Sequence, residues 1–276
     1  MNNRFKRSAL CLIIAFTFSA CDRIKDKSLD AVNCTALAVF PSDGGKPQPD
    51  DTVTVFARAE TEPVTNACDA ADDPAIWANA ESPADSKIVI SNKVGKIAVH
   101  ALAGETLYEA RLGRMNNVDL REHVMIDNQR HVVVASTNRS KQAIEVYSLD
   151  RESGELRDLA EEPIIADFEE EIYGICLYHS KLNQQLYAFI NDKEGNVAQW
   201  QLTANDRGKF TGRKVRAWPT GVETEGCVVD DANAWLHLGA QNDGIWRYDA
   251  EPDASTEKTI VDTTGVEVNS GGRLAG

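Results

Sequence analysis

The chain has 276 residues, 42% of them hydrophobic, enough to build the core of one large all-β domain. Its 43 acids against 29 bases give a formal net charge of −14, which argues against a nucleic-acid or anionic-membrane surface. An anion site in such a chain needs its acids offset, either by internal pairing with bases or by bound cations.

Residues 1–20 place Arg4, Lys6 and Arg7 ahead of an apolar stretch from Ala9 to Phe18, the pattern of an export signal. Phe18-Ser19-Ala20-Cys21 resembles a bacterial lipobox, with Phe18 in place of the usual leucine. Cys21 is therefore the expected lipidated N-terminus of an exported lipoprotein, held to the membrane only by its lipid and facing the periplasm or cell exterior; plain secretion is the alternative. Loss of the leader, with its three bases and no acid, takes the charge from −14 to −17. Residues 21–50 are polar and turn-rich, ending in PSDGGKPQPDD, and read as a flexible tether to a domain over 51–276. The other mature cysteines, Cys34, Cys68, Cys176 and Cys227, lack the spacing of a zinc site. Cys176 and Cys227 fall on equivalent strands, as buried neighbours or as a disulfide.

TVTVFARAE, from Thr52 to Glu60, alternates as a strand. A four-strand unit then recurs. It reads PAIW, SKIVISN, KIAVHAL and ETLYEARL, then VDLREHVMI, HVVVAST, AIEVYSL and GELRDL. The third copy is EIYGICLY, QLYAFIN, NVAQWQL and KFTGRKVRAW, and the fourth EGCVVD, AWLHLGA, GIWRYDA and EKTIVD. Turn signals such as DRESGE and ANDRGK separate third and fourth strands. A period of about 40–50 residues with four short strands marks a β-propeller. Trp77, Trp200, Trp218, Trp235 and Trp246 fall at blade-like intervals and are expected in the core.

Second strands of three successive units end at a base: Lys93, Arg139 and Lys193. In a propeller these positions open on the same face as the loops entering the innermost strands, which bring Asp72, Asp73, Asn117, Glu171, Tyr173, Glu223 and Glu225. Converging Lys and Arg make a receptor for a multiply charged anion, phosphate above all. The histidines are scattered, and neither HExxH, GxSxG nor a P-loop is present.

ETEPVTNACDAADDPAIW (Glu60 to Trp77), NNVDLR, STNRS, EIYGICLYHS, KEG, KVRAW and TEG resemble, in order and near spacing, segments of the β-propeller phytases. Those are calcium-dependent bacterial phosphatases acting on inositol hexakisphosphate. The resemblance implies a six-bladed propeller, about four blades of which lie here, with several Ca2+ ions at the channel mouth. It implies that Asp72 and Glu225 are ligands of a catalytic calcium cluster, with Glu60 near it. Lys93, Arg139, Lys193 and Tyr173, with Glu194 beside them, become phosphate contacts, and Tyr173 joins Asp72, Glu225 and Glu60 in the catalytic set. Asp73 and the carbonyls of Pro74 and Val118 become ligands of a structural calcium. Calcium takes roughly six to eight oxygen ligands, so carboxylates and carbonyls from separate blades suit it. A calcium-activated water attacking a phosphate held by the bases would release orthophosphate from phytate.

Two departures stand out. LGAQND puts Gln241 and Asn242 where the family pattern calls for acids, so a calcium ligated by Gln241 is expected to bind weakly. The chain also stops at Gly276, where the family would begin a fifth inner strand. The expectation is therefore an incomplete phytase-like domain, weak or inactive by itself, with a complete phytase domain among its expected partners. The alternatives are a non-catalytic calcium and phosphate-ester binding module on the cell surface, and another six-bladed calcium hydrolase such as a lactonase.

Overall fold

The computed structural model describes residues 59–64 and 69–264. The export signal, Cys21, the tether, Cys34, Cys68, most of the strand expected from Thr52 and everything after Thr264 lie outside the described residues. Every strand below belongs to one of the two compact units into which the chain divides.

Among the described residues, seventeen strands, β1 to β17, form four antiparallel sheets in simple up-and-down order. Blade 1 holds β1 (Ala71–Trp77), β2 (Lys87–Asn92), β3 (Lys96–Ala101) and β4 (Thr106–Arg111). Blade 2 holds β5 (Met115–Ile126), β6 (Gln129–Asn138), β7 (Ala143–Leu149) and β8 (Leu156–Asp158), with the short β9 (Ile164–Ile165) also on β7. Blade 3 runs through β10 (Ile172–His179), β11 (Leu186–Asp192), β12 (Asn196–Ala204) and β13 (Phe210–Pro219). Blade 4 comprises β14 (Thr224–Asp230), β15 (Trp235–Ala240), β16 (Gly244–Asp249) and β17 (Thr259–Thr263). These are blades of a β-propeller, in the order that the sequence predicts.

Sheets bury both faces only by stacking, and the apolar residues obey that rule. One cluster joins blades 1 and 2 through Trp77, Val89, Ile97, Met115 and Val134. A second joins blades 2 and 3 through Ile144, Val146, Ile175, Leu177 and Trp200. Tyr178, Phe189, Trp218, Leu238 and Trp246 tie blade 3 to blade 4. Trp235 departs from expectation: it opens β15, is 39% exposed, and carries the Arg247 guanidinium 4.3 Å from its ring centre. On the far face of blade 4, Val228, Ile245 and Val261 are exposed and line a hollow of about 560 Å³.

Two covalent or ionic ties hold the inner strands. Cys176 on β10 and Cys227 on β14 form a disulfide with Cα atoms 5.8 Å apart, resolving the choice that the sequence leaves open. It closes a 51-residue separation, for which the chain-entropy relation gives up to about 4 kcal/mol. Cys227→Ser is expected to lower unfolding stability by about 2–4 kcal/mol, read as a shift in the urea midpoint. An unchanged midpoint would mean that blade packing alone sets the register.

Deeper along the same strands, Arg121 of β5 spends all its donors. Nε and Nη2 reach Asp231, and Nη1 donates to Asp119 Oδ2 at 2.9 Å and to the Leu120 carbonyl. Nη2 also donates to the carbonyls of Leu177 on β10, at 2.5 Å, and Val229 on β14, at 3.2 Å. One guanidinium thus clasps blades 2, 3 and 4 where their inner strands come side by side.

Candidate functional site

The blades build the site with two devices, the first in all four and the second in blades 1 to 3. The first is a bulge on the inner strand. Ala71 pairs with Asn92 but Pro74 pairs with Ile90, leaving one extra residue in the stretch that holds Asp72 and Asp73. The same slip occurs at Asn116-Asn117, between Met115 and Val118. It recurs at Tyr173-Gly174, between Ile172 and Ile175, and at Glu225-Gly226, between Thr224 and Cys227. A bulge breaks the strict alternation of a strand and re-aims side chains, which is why bulges gather beside active sites.

The second device is a side-chain-capped turn at the end of the second strand. Asn92 Oδ1 accepts the Val94 amide at 2.8 Å, Asn138 Oδ1 the Ser140 amide at 3.1 Å, and Asp192 Oδ1 the Glu194 amide at 3.0 Å. The residue inside each turn is Lys93, Arg139 or Lys193. Short Asn and Asp side chains favour this turn because they reach a backbone amide two residues on. In the third turn Gly195 completes the geometry at φ +79°, and a Cβ there would strike the Val222 carbonyl. Blade 4 lacks the device: Ala240 occupies the capping position, Gln241 the base position, and the Gln241 amide donates to the Glu223 carbonyl at 2.9 Å.

Turn and bulge meet through the strand pairing, because each capping residue lies opposite the residue that precedes its bulge. Lys93 Nζ sits 2.8 Å from Asp72 Oδ1 within blade 1. Arg139 pairs across blades with Glu171 through Nη2 and, within blade 2, reaches Asn116 Oδ1 through Nη1 at 3.4 Å. Lys193 Nζ is 3.2 Å from the same Glu171 oxygen, and Arg114 Nη1 is 3.0 Å from the other one. Below them the Tyr173 ring carries Lys193 Nζ 5.2 Å and the Arg139 guanidinium 5.8 Å from its centre. Asn116 Nδ2 donates to Glu225 Oε1 at 3.3 Å. Gly174 lets the bulge press against the Glu225 carbonyl, where any Cβ would collide.

Burial, then the nearby carboxylates of Glu225 and Glu223, raises the Tyr173 pKa, so its hydroxyl stays protonated and serves as a donor. Burial pushes Asp73 up to about 6, against the lowering effect of the Val118 amide, which donates to its Oδ2 at 3.0 Å. Asp72 Oδ2 is buried with no hydrogen-bond partner. An orphaned carboxylate oxygen beside a carboxylate penalised for its charge is the chemistry that a hard cation relieves. Among the described residues no three Asp, Glu, His or Cys side chains form a metal-holding group by themselves. The acids face bases and carbonyls instead, and a calcium ion accepts carbonyl oxygen as readily as carboxylate.

Of the residues singled out from sequence, Asp72, Asp73, Lys93, Val118, Arg139, Tyr173, Lys193 and Glu225 gather at one end of the blades. Pro74 follows the first bulge. Glu194 is exposed in the Lys193 turn, its amide given to Asp192. Glu60 is not brought to this group. Its carbonyl lies against Gly104 in the turn from β3 to β4, the end of blade 1 away from Asp72. Arg114 and Asn116 were missed, and Glu171 was placed on this face without a role. The doublets DD, NN, YG and EG, each just ahead of an apolar run, are the signal that would have exposed the bulges.

A propeller whose blades present turn-borne bases beside buried acids is, in form, a scaffold suited to binding anions. The sequence model of the phytase family matches residues 31–271, and the chain belongs to that family. A 3-phytase of Bacillus subtilis (strain 168) is 36% identical over 212 residues, covering 75% of this chain. The match takes in 55% of that relative, so the chain spans about half its length. Among solved structures, a Bacteroides caccae protein of unknown function aligns at a TM-score of 0.43 and 11% identity, over 69% of this chain and 61% of the other, a likeness too slight to carry an argument.

Proposed function

We propose that this site hydrolyses phosphate monoesters of inositol hexakisphosphate in a calcium-dependent reaction that releases orthophosphate. The supporting observation is the convergence of Arg139 and Lys193, over Tyr173, with the acids and amides of four equivalent strand bulges. Arg139 and Lys193 bind and orient the phosphoryl oxygens, with Lys93 drawing in a neighbouring phosphate. Tyr173, kept protonated, supports both bases and donates towards Glu225. Asp72 and Glu225, with Asp73 and the Pro74 and Val118 carbonyls, are the oxygens that would hold calcium; Gln241 adds only a neutral donor. Bound calcium supplies a more acidic water and neutralises developing phosphate charge. Export as a lipoprotein anchored at Cys21 is part of the same reading, since phytate is an external substrate for such a protein.

A non-catalytic calcium and phosphate-ester binding module is the second reading, favoured by the fourth turn, where Ala240 and Gln241 replace the capping residue and the base. One experiment separates the two. Phosphate release from phytate is expected with Ca2+, abolished by excess EGTA and restored by added Ca2+. Release that persists in EGTA counts against the proposal. Calcium-dependent phytate binding without release above an Arg139→Ala control hands the case to the module.

A further inference from the structure

Three bases close on one carboxylate. Arg139 and Lys193 share Glu171 Oε2, and Arg114 holds Oε1. This Y-shaped anion, with its two oxygens on separate cations, offers the same contacts that a phosphoryl group offers to a guanidinium fork and an ammonium. Arg139 has a side chain only 10% exposed, so it cannot stand without an anion at low cost. Its Nε remains buried and without a partner even so, which leaves it a donor that the Glu171 carboxylate does not satisfy.

The backbone at this point is pinned independently. Gln142 accepts the Ile172 amide through Oε1 at 2.9 Å and donates Nε2 to the Glu170 carbonyl at 2.8 Å. Glu171 can therefore swing its side chain without moving the Tyr173 bulge. Burial pulls its carboxyl pKa upward, yet the hydrogen bond and charge of Arg139, with Arg114 and Lys193, hold it below the usual range. The group stays an anion.

Resting on the phosphate-site reading above, we propose that Glu171 is a built-in competitor for phosphate: its carboxylate fills the Arg114, Arg139 and Lys193 cradle when the site is empty, and is displaced when a phosphoryl group binds. Arg114 thereby becomes a third phosphate-binding base. The competitor keeps the cations neutralised and aligned in the resting site and speeds loss of orthophosphate by returning to the cradle. Binding is weakened by the fraction of molecules in which the cradle is free.

The test uses the full chain, inorganic phosphate, fixed Ca2+ and constant ionic strength, with calorimetry as the readout. Glu171→Gln removes the charge and is expected to bind orthophosphate about tenfold more tightly. Glu171→Asp, whose shorter arm cannot reach all three bases, moves the same way by a smaller factor and serves if the glutamine variant does not fold. Arg114→Ala in the Glu171→Gln background is expected to reverse part of the gain. Phosphate binding by the wild type that neither variant tightens overturns the competitor and leaves the phosphate site standing. No phosphate binding by any of the proteins overturns both.

Discussion

Replacing Arg139 by alanine is expected to lower kcat/KM for phosphate release by about 10²–10⁴-fold while leaving the fold intact. Arg139 touches three other parts of the site: Glu171, Asn116 Oδ1 at 3.4 Å and the Tyr173 ring. Hydrogen bonds to charged groups contribute about 1.5–3 kcal/mol each, and a bidentate hold on phosphate forms two of them. Every 1.36 kcal/mol or so is a factor of ten in rate, which sets the expected range. The side chain sits above the Tyr173 ring and outside the three apolar clusters between blades, so its removal should shift the melting temperature little. Arg139→Lys retains charge but loses the planar fork, and should fall between the two. A variant with near wild-type turnover would remove Arg139 from the reaction and favour a calcium hydrolase that does not grip phosphate.

The largest effect on stability is expected at Arg121. Its guanidinium is the counter-ion of Asp119 and Asp231 and the donor to three backbone carbonyls on three blades. Burial already raises the pKa of Asp119 despite the opposing charge of Arg121. Arg121→Ala strands that carboxylate and orphans the Leu177 and Val229 carbonyls. Breaking a buried pair in this way costs about 3–5 kcal/mol. Urea unfolding should register the loss. A shift of less than about 1 kcal/mol would mean that water enters and solvates Asp119, a weaker clasp than the geometry implies.

How much of this was legible in the sequence depends on the range over which each cause acts. Strand runs and capped turns are local, so the four units and the strand-end positions of Lys93, Arg139 and Lys193 could be read directly. A bulge is a property of two paired strands, and nothing within NNVDLR says that Asn116 and Asn117 share one step opposite Thr137. Arg114 and Glu171 lie on different blades and meet only through the fold. The same holds for Cys176 and Cys227, whose pairing was left open until the inner strands came together. Glu60 shows the opposite error. A resemblance ordered along the chain placed it next to Asp72, but its carbonyl lies against Gly104 at the other end of the blade.

The fourth turn has a kinetic side. Blades 1 to 3 each set a base at the rim, whereas blade 4 contributes Glu223 and Glu225 with Gln241 where a base would stand. Charge is thus unevenly distributed around the mouth, and an arriving polyanion feels a torque as well as a pull. On the proposed reading it would be turned so that one phosphate leads towards Arg139 and Lys193 while its opposite edge is pushed from the acidic quadrant, or meets it through a shared cation. Such steering acts over roughly a Debye length, about 10 Å at 0.1 M salt. Orientation of the substrate is thereby settled before contact, and added salt should slow productive encounters more than it weakens the bound complex.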